Sequence, residues 1–410
     1  MVFLLAEAVP AAMANPTPPM WRVFSKAGYF VGWIAVIGGC SLHLLVLRPV
    51  LDRHAADATD RAVLERRHAL LLSFTGAFFI AALYFQLAGV ITRSSSANQH
   101  APYSDSLKPA AIWRYVTATN ISSQWISPGA LAGIQYGLWA LAAVILMLLW
   151  APRIRAQLTR VTALVLVIAL ASQQLSFLPS TSSSLGDAVG MLANHVHVVA
   201  VSVWIGGIAC LAVLARTRDH LSVSAGVPWA QLWSRFGTVA LLAVGCIVIS
   251  GLYMAWELVG TPVELLTTKF GNILLLKVAL VGAAVLVGAC HEFVVLPRMA
   301  HARAAGDRVS LFALALRTAP LLAAAETVLG AGALLAMTFL NGSARAQAGD
   351  REAMLSHNVI GLGVLLIAVL AGSFAMTAKL SERLAASPTQ PTSASRTTVF
   401  VSDAPRSDLD

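Results

Sequence analysis

The sequence is short of charge. Only 11% of its 410 residues are Asp, Glu, Lys or Arg, against about a quarter in soluble domains, which excludes an ordinary water-soluble globule. Cysteine is scarce as well. Cys40, Cys210, Cys246 and Cys290 all fall inside apolar runs, so no disulfide framework is implied. The sequence has no glycine-rich nucleotide-binding pattern, no HExxH and no nucleophile elbow. Nothing therefore points to ATP-driven pumping, and the chain is not expected to be an enzyme. No CxxCH is present for covalent haem attachment.

What is abundant is apolar sequence, 58% of residues, with a mean hydropathy of +0.75. Runs of about 20 apolar residues read as helices crossing a bilayer core of about 30 Å. They predict an all-α polytopic membrane helical bundle of about nine spans, at 25–47, 69–92, 129–150, 159–178, 190–215, 236–259, 272–296, 318–341 and 357–378. Residues 1–24 read as an outside N-terminal segment. They lack a basic n-region and place Glu7 among apolar residues, which argues against a cleaved signal. Residues 25–185 hold helices one to four, with an interfacial helix near 111–128 whose Trp113, Tyr115 and Trp125 suit the headgroup level. Helices five to eight occupy 186–341, and an extra ninth helix lies in 342–385. The tail 386–410, rich in Ser, Thr, Pro and Asp, reads as disordered and cytoplasmic.

Orientation follows from the basic residues. With the N-terminus outside, and with Arg160 and Lys26 at span edges counted with the adjoining connections, the cytoplasmic side carries 19 Lys and Arg and the outside 8. The expected topology is N-out, C-in. The net charge of +9 is then a topology signal, and no nucleic-acid partner is expected beside membrane lipid.

The stretch "MLANHVHVVAVSVWIGG" (191–207) places His195 and His197 at the outer mouth of an otherwise uncharged run. His357 falls at the same level, and Met191, Met254 and Met337 near outer helix ends. Cys40, Cys210 and Cys290 fall in inner halves, and Cys246 near the middle. Imidazole, thioether and thiolate suit copper, with sulfur favouring Cu(I), and sparse weak sites let an ion bind and leave. The plainer reading takes Met and Cys as apolar fillers and the histidines as hydrogen-bonded to neighbouring helices. Residues two apart on a helix point about 200° apart. His195 and His197 therefore share one ion only if the helix starts late. His195 shares a face with Met191, and His197 with Val201 and Trp204. Gly206 and Gly207 read as close helix packing.

Two charges fall inside spans. Lys277, near the outer end of span seven, is placed to snorkel outward. Glu326, about two turns in from the cytoplasmic end of span eight, lies roughly level with His291, so the two can pair. It reads either as a proton-coupling carboxylate or as an interhelical hydrogen bond. Asp187, Glu257 and Glu264 read as outer acids that draw cations or simply as solvated charges. His54, His68, His220 and His301 read as cytoplasmic loop residues.

With these residues in hand, the chain resembles the bacterial copper resistance D family over roughly 190–341. The likeness rests on "HVHVVAVSVWIGGIACL", "WSRFGTVALLAVGCIVISGLY", "FGNILLLKVAL" and "LRTAPLLAAAETVLGAGALLA" in that order. The resemblance carries over His197, Trp204, Lys277 and Glu326, while His195 has no place in the pattern. Where the family often has Asn-Arg before a downstream Pro, this chain reads "HEFVVLP". The resemblance implies copper handling at a bacterial inner membrane, commonly uptake from periplasm to cytoplasm, with a periplasmic copper-binding donor as a partner. His197, His195, Met191 and His357 would form the outer metal site. Two other readings stay open. One is a haem-binding redox protein, with His197 paired to His357 outside and His43 to His291 inside. The other is a factor that delivers copper to an oxidase.

Overall fold

The structure, a computed structural model, describes residues 18–53, 57–95, 102–118, 126–175, 185–259, 261–340 and 342–349. Every regular element among them is helical. The long helices are α1 (Met20–Arg53), α2 (Ala58–Ser94), α3 (Pro128–Trp150), α4 (Leu158–Gln174), α5 (Gly186–His220), α6 (Val223–Leu258), α7 (Lys269–Ala304) and α8 (Arg308–Thr338). Seven are long and apolar enough to cross a membrane. The exception is α4, whose 17 residues fall at the lower limit of what a span needs, about 17–25. The expected ninth helix and the tail lie outside the described residues. Of the expected interfacial segment, Pro109–Thr117 is helical, with Trp113 exposed.

Local chemistry sets the helix starts. Ser127 accepts from the Ala130 N–H at 3.1 Å, ahead of a Pro in the first turn of α3. Thr268 caps α7 through the Gly271 N–H at 3.0 Å. Asp307 caps α8 through the Ser310 N–H at 2.9 Å, each supplying an acceptor that the first helical turn lacks. Hydrogen bonds from Ser310 hold the Asp307 carboxyl below the usual carboxylate range. At the same end of the bundle the buried Asp60 accepts from the Ser222 N–H at 3.0 Å and from its hydroxyl at 2.5 Å, which ties the start of α2 to the α5–α6 connection.

Helix α1 is the central element. Its apolar window is 78% buried, against 6% for α7, and it contacts α2, α4, α5 and α8. Two apolar cores meet along it. One joins α1 to α2, α3 and α4 through Trp33, Phe79, Trp139 and Val165. The other joins the end of α1 to α5–α8 through Leu47, Leu211, Trp229 and Leu316. The α1–α5 crossing is very close. A Cβ on Gly38 would lie 2.4 Å from the Ser202 carbonyl oxygen, and one on Gly206 would lie 2.1 Å from that of Ile34. Small residues admit this approach of backbones.

Among the described residues four spans carry a π-helical turn: His43–Leu47 in α1, Ser202–Gly206 in α5, His291–Val295 in α7 and Leu314–Thr318 in α8. A π-turn inserts a residue and shifts the helical face, and such turns gather at functional sites. Two of these open on a histidine, and a third holds Trp204.

Candidate functional site

Helix α5 runs through both His195 and His197 without a late start, so the two rings diverge. His197 turns to α6, where its Nδ1 is 3.1 Å from the Ser250 hydroxyl. Ser250 donates its only proton to the Cys246 carbonyl at 2.5 Å, so the imidazole Nδ1–H is the donor to Ser250. That fixes the tautomer and leaves the lone pair on Nε2, the arrangement a metal-ligating histidine needs. Gly251 admits the ring, since a Cβ there would sit 3.2 Å from His197 Cε1. Lys277 lies within electrostatic range of His197 and of Lys26 on α1.

His195 turns the other way. Its Nδ1 is 2.7 Å from the Met191 carbonyl and its Nε2 is 3.0 Å from that of Gln173 on α4. Both ring nitrogens are thus engaged by oxygen acceptors, and Met191 meets His195 through its carbonyl. His357 lies outside the described residues. Among the described residues no three His, Cys, Asp or Glu side chains converge into a ready-made metal cage.

Deeper in the bundle, Glu326 is buried at 2% exposure. Its carboxylate bonds the Trp204 side chain on α5 and lies over Gly288 of α7, where a Cβ would be 3.4 Å from Oε2. One carboxylate therefore joins α5, α7 and α8. His291 makes no hydrogen bond to Glu326 among the described residues. It packs its ring 5.0 Å from that of Trp233, and its Nε2 has no hydrogen-bond partner among the described residues. Gly206 meets Ile34 and Gly38, and Gly207 meets Phe236. Of the outer acids, Glu257 accepts from the Tyr253 hydroxyl at 2.9 Å and Asp187 is exposed. Glu264 is not a solvated charge: it is 3% exposed and accepts from Thr261 at 3.2 Å.

The opposite half of the bundle holds a further group of buried side chains. His68 is not a loop residue. It lies in α2 with no exposure, stacked on His43 at 5.5 Å with planes 13° apart. Its Nδ1 is 3.5 Å from Cys210 Sγ. His43 reaches Thr159 on α4 through Nε2 at 3.1 Å. The signal for His68 was the stripe Leu64–His68–Leu72 at four-residue spacing, both leucines being 1% exposed. The two arginines just before it, Arg66 and Arg67, masked that stripe. His220 and His301 are exposed near helix ends, and His54 lies outside the described residues.

Residues 230–340, from α6 to the end of α8, match the family model described as copper resistance protein D. The chain is 34% identical over 103 residues to the copper transport protein CutJ of Bacillus subtilis (strain 168), covering 25% of this chain and 19% of that protein. It is 30% identical over 111 residues to the inner membrane protein YebZ of Escherichia coli (strain K12), covering 26% of this chain and 36% of that one. The chain thus matches well under half the length of either relative. No solved structure matches it significantly.

Proposed function

We propose that this chain, whose α6–α8 segment matches the copper resistance protein D family, carries copper across a bacterial inner membrane, from periplasm to cytoplasm. The observation that carries this reading is the family match itself, because it spans Ser250, which orients His197, together with Lys277 and Glu326. The N-out orientation, supported by 19 basic residues on one side against 8 on the other, puts His197 toward the periplasm. His197 then accepts the ion through Nε2, and Glu326 supplies an acid within the bundle that can exchange a proton as the ion passes. With no nucleotide motif in the sequence, flux runs down a gradient held by cytosolic chelation or is coupled to protons. A periplasmic copper-binding protein is the natural donor.

The test is cellular copper accumulation in bacteria expressing the full chain, wild type beside His197→Ala and Glu326→Gln at matched protein levels. The expected outcome is higher copper with wild type than with an empty vector, lost in both variants. Accumulation that does not exceed the vector control contradicts uptake, and lower copper than the control reverses the direction.

A further inference from the structure

We propose that Cys210 and His68, with His43 stacked behind His68, form a second metal site for a soft monovalent ion, Cu(I) or Ag(I), buried where α1, α2 and α5 meet. The family match does not assign it: His43, His68 and Cys210 all lie outside residues 230–340. Its metal class rests on donor chemistry alone. Only its role as an inner station on the path rests on the transport reading.

The first argument is burial without satisfaction. His68 is fully buried and His43 is 3% exposed; the Gly39 carbonyl is within hydrogen-bonding reach of the His68 ring, whereas His43 Nδ1 has no hydrogen-bond partner among the described residues. The partner of His68 Nδ1 is a thiol, a weak donor. A buried imidazole nitrogen left without a partner, as His43 Nδ1 is, is costly, and an ion that takes its lone pair relieves the cost. The π-turn that opens at His43 helps to set the helical face from which that ring projects.

The second argument is geometry. With metal–sulfur and metal–nitrogen bonds of about 2.3 and 2.0 Å, donors 3.5 Å apart subtend about 110° at an ion. That angle is bent and leaves a third position open. His43, whose ring stacks parallel on His68 and whose Nδ1 is unpartnered among the described residues, would supply the third donor by turning its ring when an ion binds.

The third argument is charge. On binding, the Cys210 S–H bond breaks, a sulfur–metal bond forms and one proton leaves to bulk. Copper stays Cu(I), so no electron is exchanged. One thiolate, two neutral imidazoles and a monovalent cation sum to zero, whereas a divalent ion leaves a net positive charge in an apolar core, where uncompensated charge is expensive. Thiolate and imidazole donors favour Cu(I) on softness as well. Cys40 lies within electrostatic range of Cys210 but sits in the other apolar core.

The test titrates purified full-length protein in detergent with Cu(I), using a chromophoric Cu(I) chelator as competitor, and follows the near-ultraviolet thiolate-to-Cu(I) absorption. The band is expected in wild type, in Cys246→Ser and in His195→Ala/His197→Ala. It is expected to vanish in Cys210→Ser, and His68→Gln should bind at least about 10-fold more weakly, since even outer-shell partners of a ligand are worth 10–100-fold. One proton should be released per ion, and excess Zn(II) should not displace it. A band that persists in Cys210→Ser, or displacement by Zn(II), overturns the proposal. Should the variants fail to fold, X-ray absorption on copper-loaded wild type decides: mixed sulfur and nitrogen neighbours are expected, and nitrogen or oxygen alone overturns it. Uptake with no thiolate band removes this site and leaves the transport reading standing, whereas a band without uptake does the reverse.

Discussion

His197 is held by a relay of hydrogen bonds rather than by a pocket. Its Nδ1–H meets Ser250, and Ser250 hands its own proton to the backbone of Cys246. Ser250 is accordingly a positioning residue, which fixes the tautomer without touching an ion. Ser250→Ala should weaken copper binding at His197 by about 10–100-fold, as outer-shell losses do, while Ser250→Thr, which keeps the hydroxyl, should restore it. Chelator competition on the two purified variants checks this, and a purely packing role for Ser250 would leave affinity unmoved. The spacing from His197 to Trp204 was readable as helical period, because periodicity is a property of one chain segment. The partners Ser250, Gln173 and Gly288 were not readable, because they depend on the rotation and register of a neighbouring helix, which hydropathy does not encode. His68 was hidden for a related reason: two arginines beside it mark the membrane edge, while its own face is set by what α1 and α5 present.

At the scale of helices, the bundle depends on α1 and α5 touching backbone to backbone. Gly206→Ala would drive a methyl into the Ile34 carbonyl, which is main chain and cannot rotate away. Overpacking of this kind costs about 1–3 kcal/mol, so the unfolding midpoint of the purified protein should fall. Gly245→Ala is the matched control, since a Cβ there meets nothing within 4 Å, and removing a mid-helix glycine favours the helix by up to about 1 kcal/mol. Thermal unfolding of both in one detergent compares them directly, and equal midpoints would contradict the close crossing. Hydropathy located α1, α2, α3 and α5–α8 because a span needs a length of apolar sequence and little else. It also located α4, whose 17 residues leave it short. The four π-turns were beyond its reach. They arise from how helices pack, and the sequences "HLLVL" and "HEFVV" look like ordinary apolar helix.

Across the whole molecule, α1 is shared between two cores, and the polar groups are distributed along α5 in levels. His197 bonds α6, Trp204 meets Glu326 of α8, and Cys210 meets His68 of α2. These three residues reach three different helices, so under the proposed function an ion moving along α5 would pass between different helix pairs in turn. Distributed, incomplete sites of this kind bind without trapping. The family match covers the middle level and the partner of the first. The lower level draws on α1 and α2, outside the matched segment, which under the proposed function would give those helices a part in the path. The measurement that bears most directly on this account is copper flux through the purified full-length protein in proteoliposomes loaded with a Cu(I)-sensing dye, with Cu(I) supplied outside on a weak chelator. The account predicts dye response above that of empty liposomes, abolished by His197→Ala. Flux equal to empty liposomes, with folded protein in the bilayer, would contradict it.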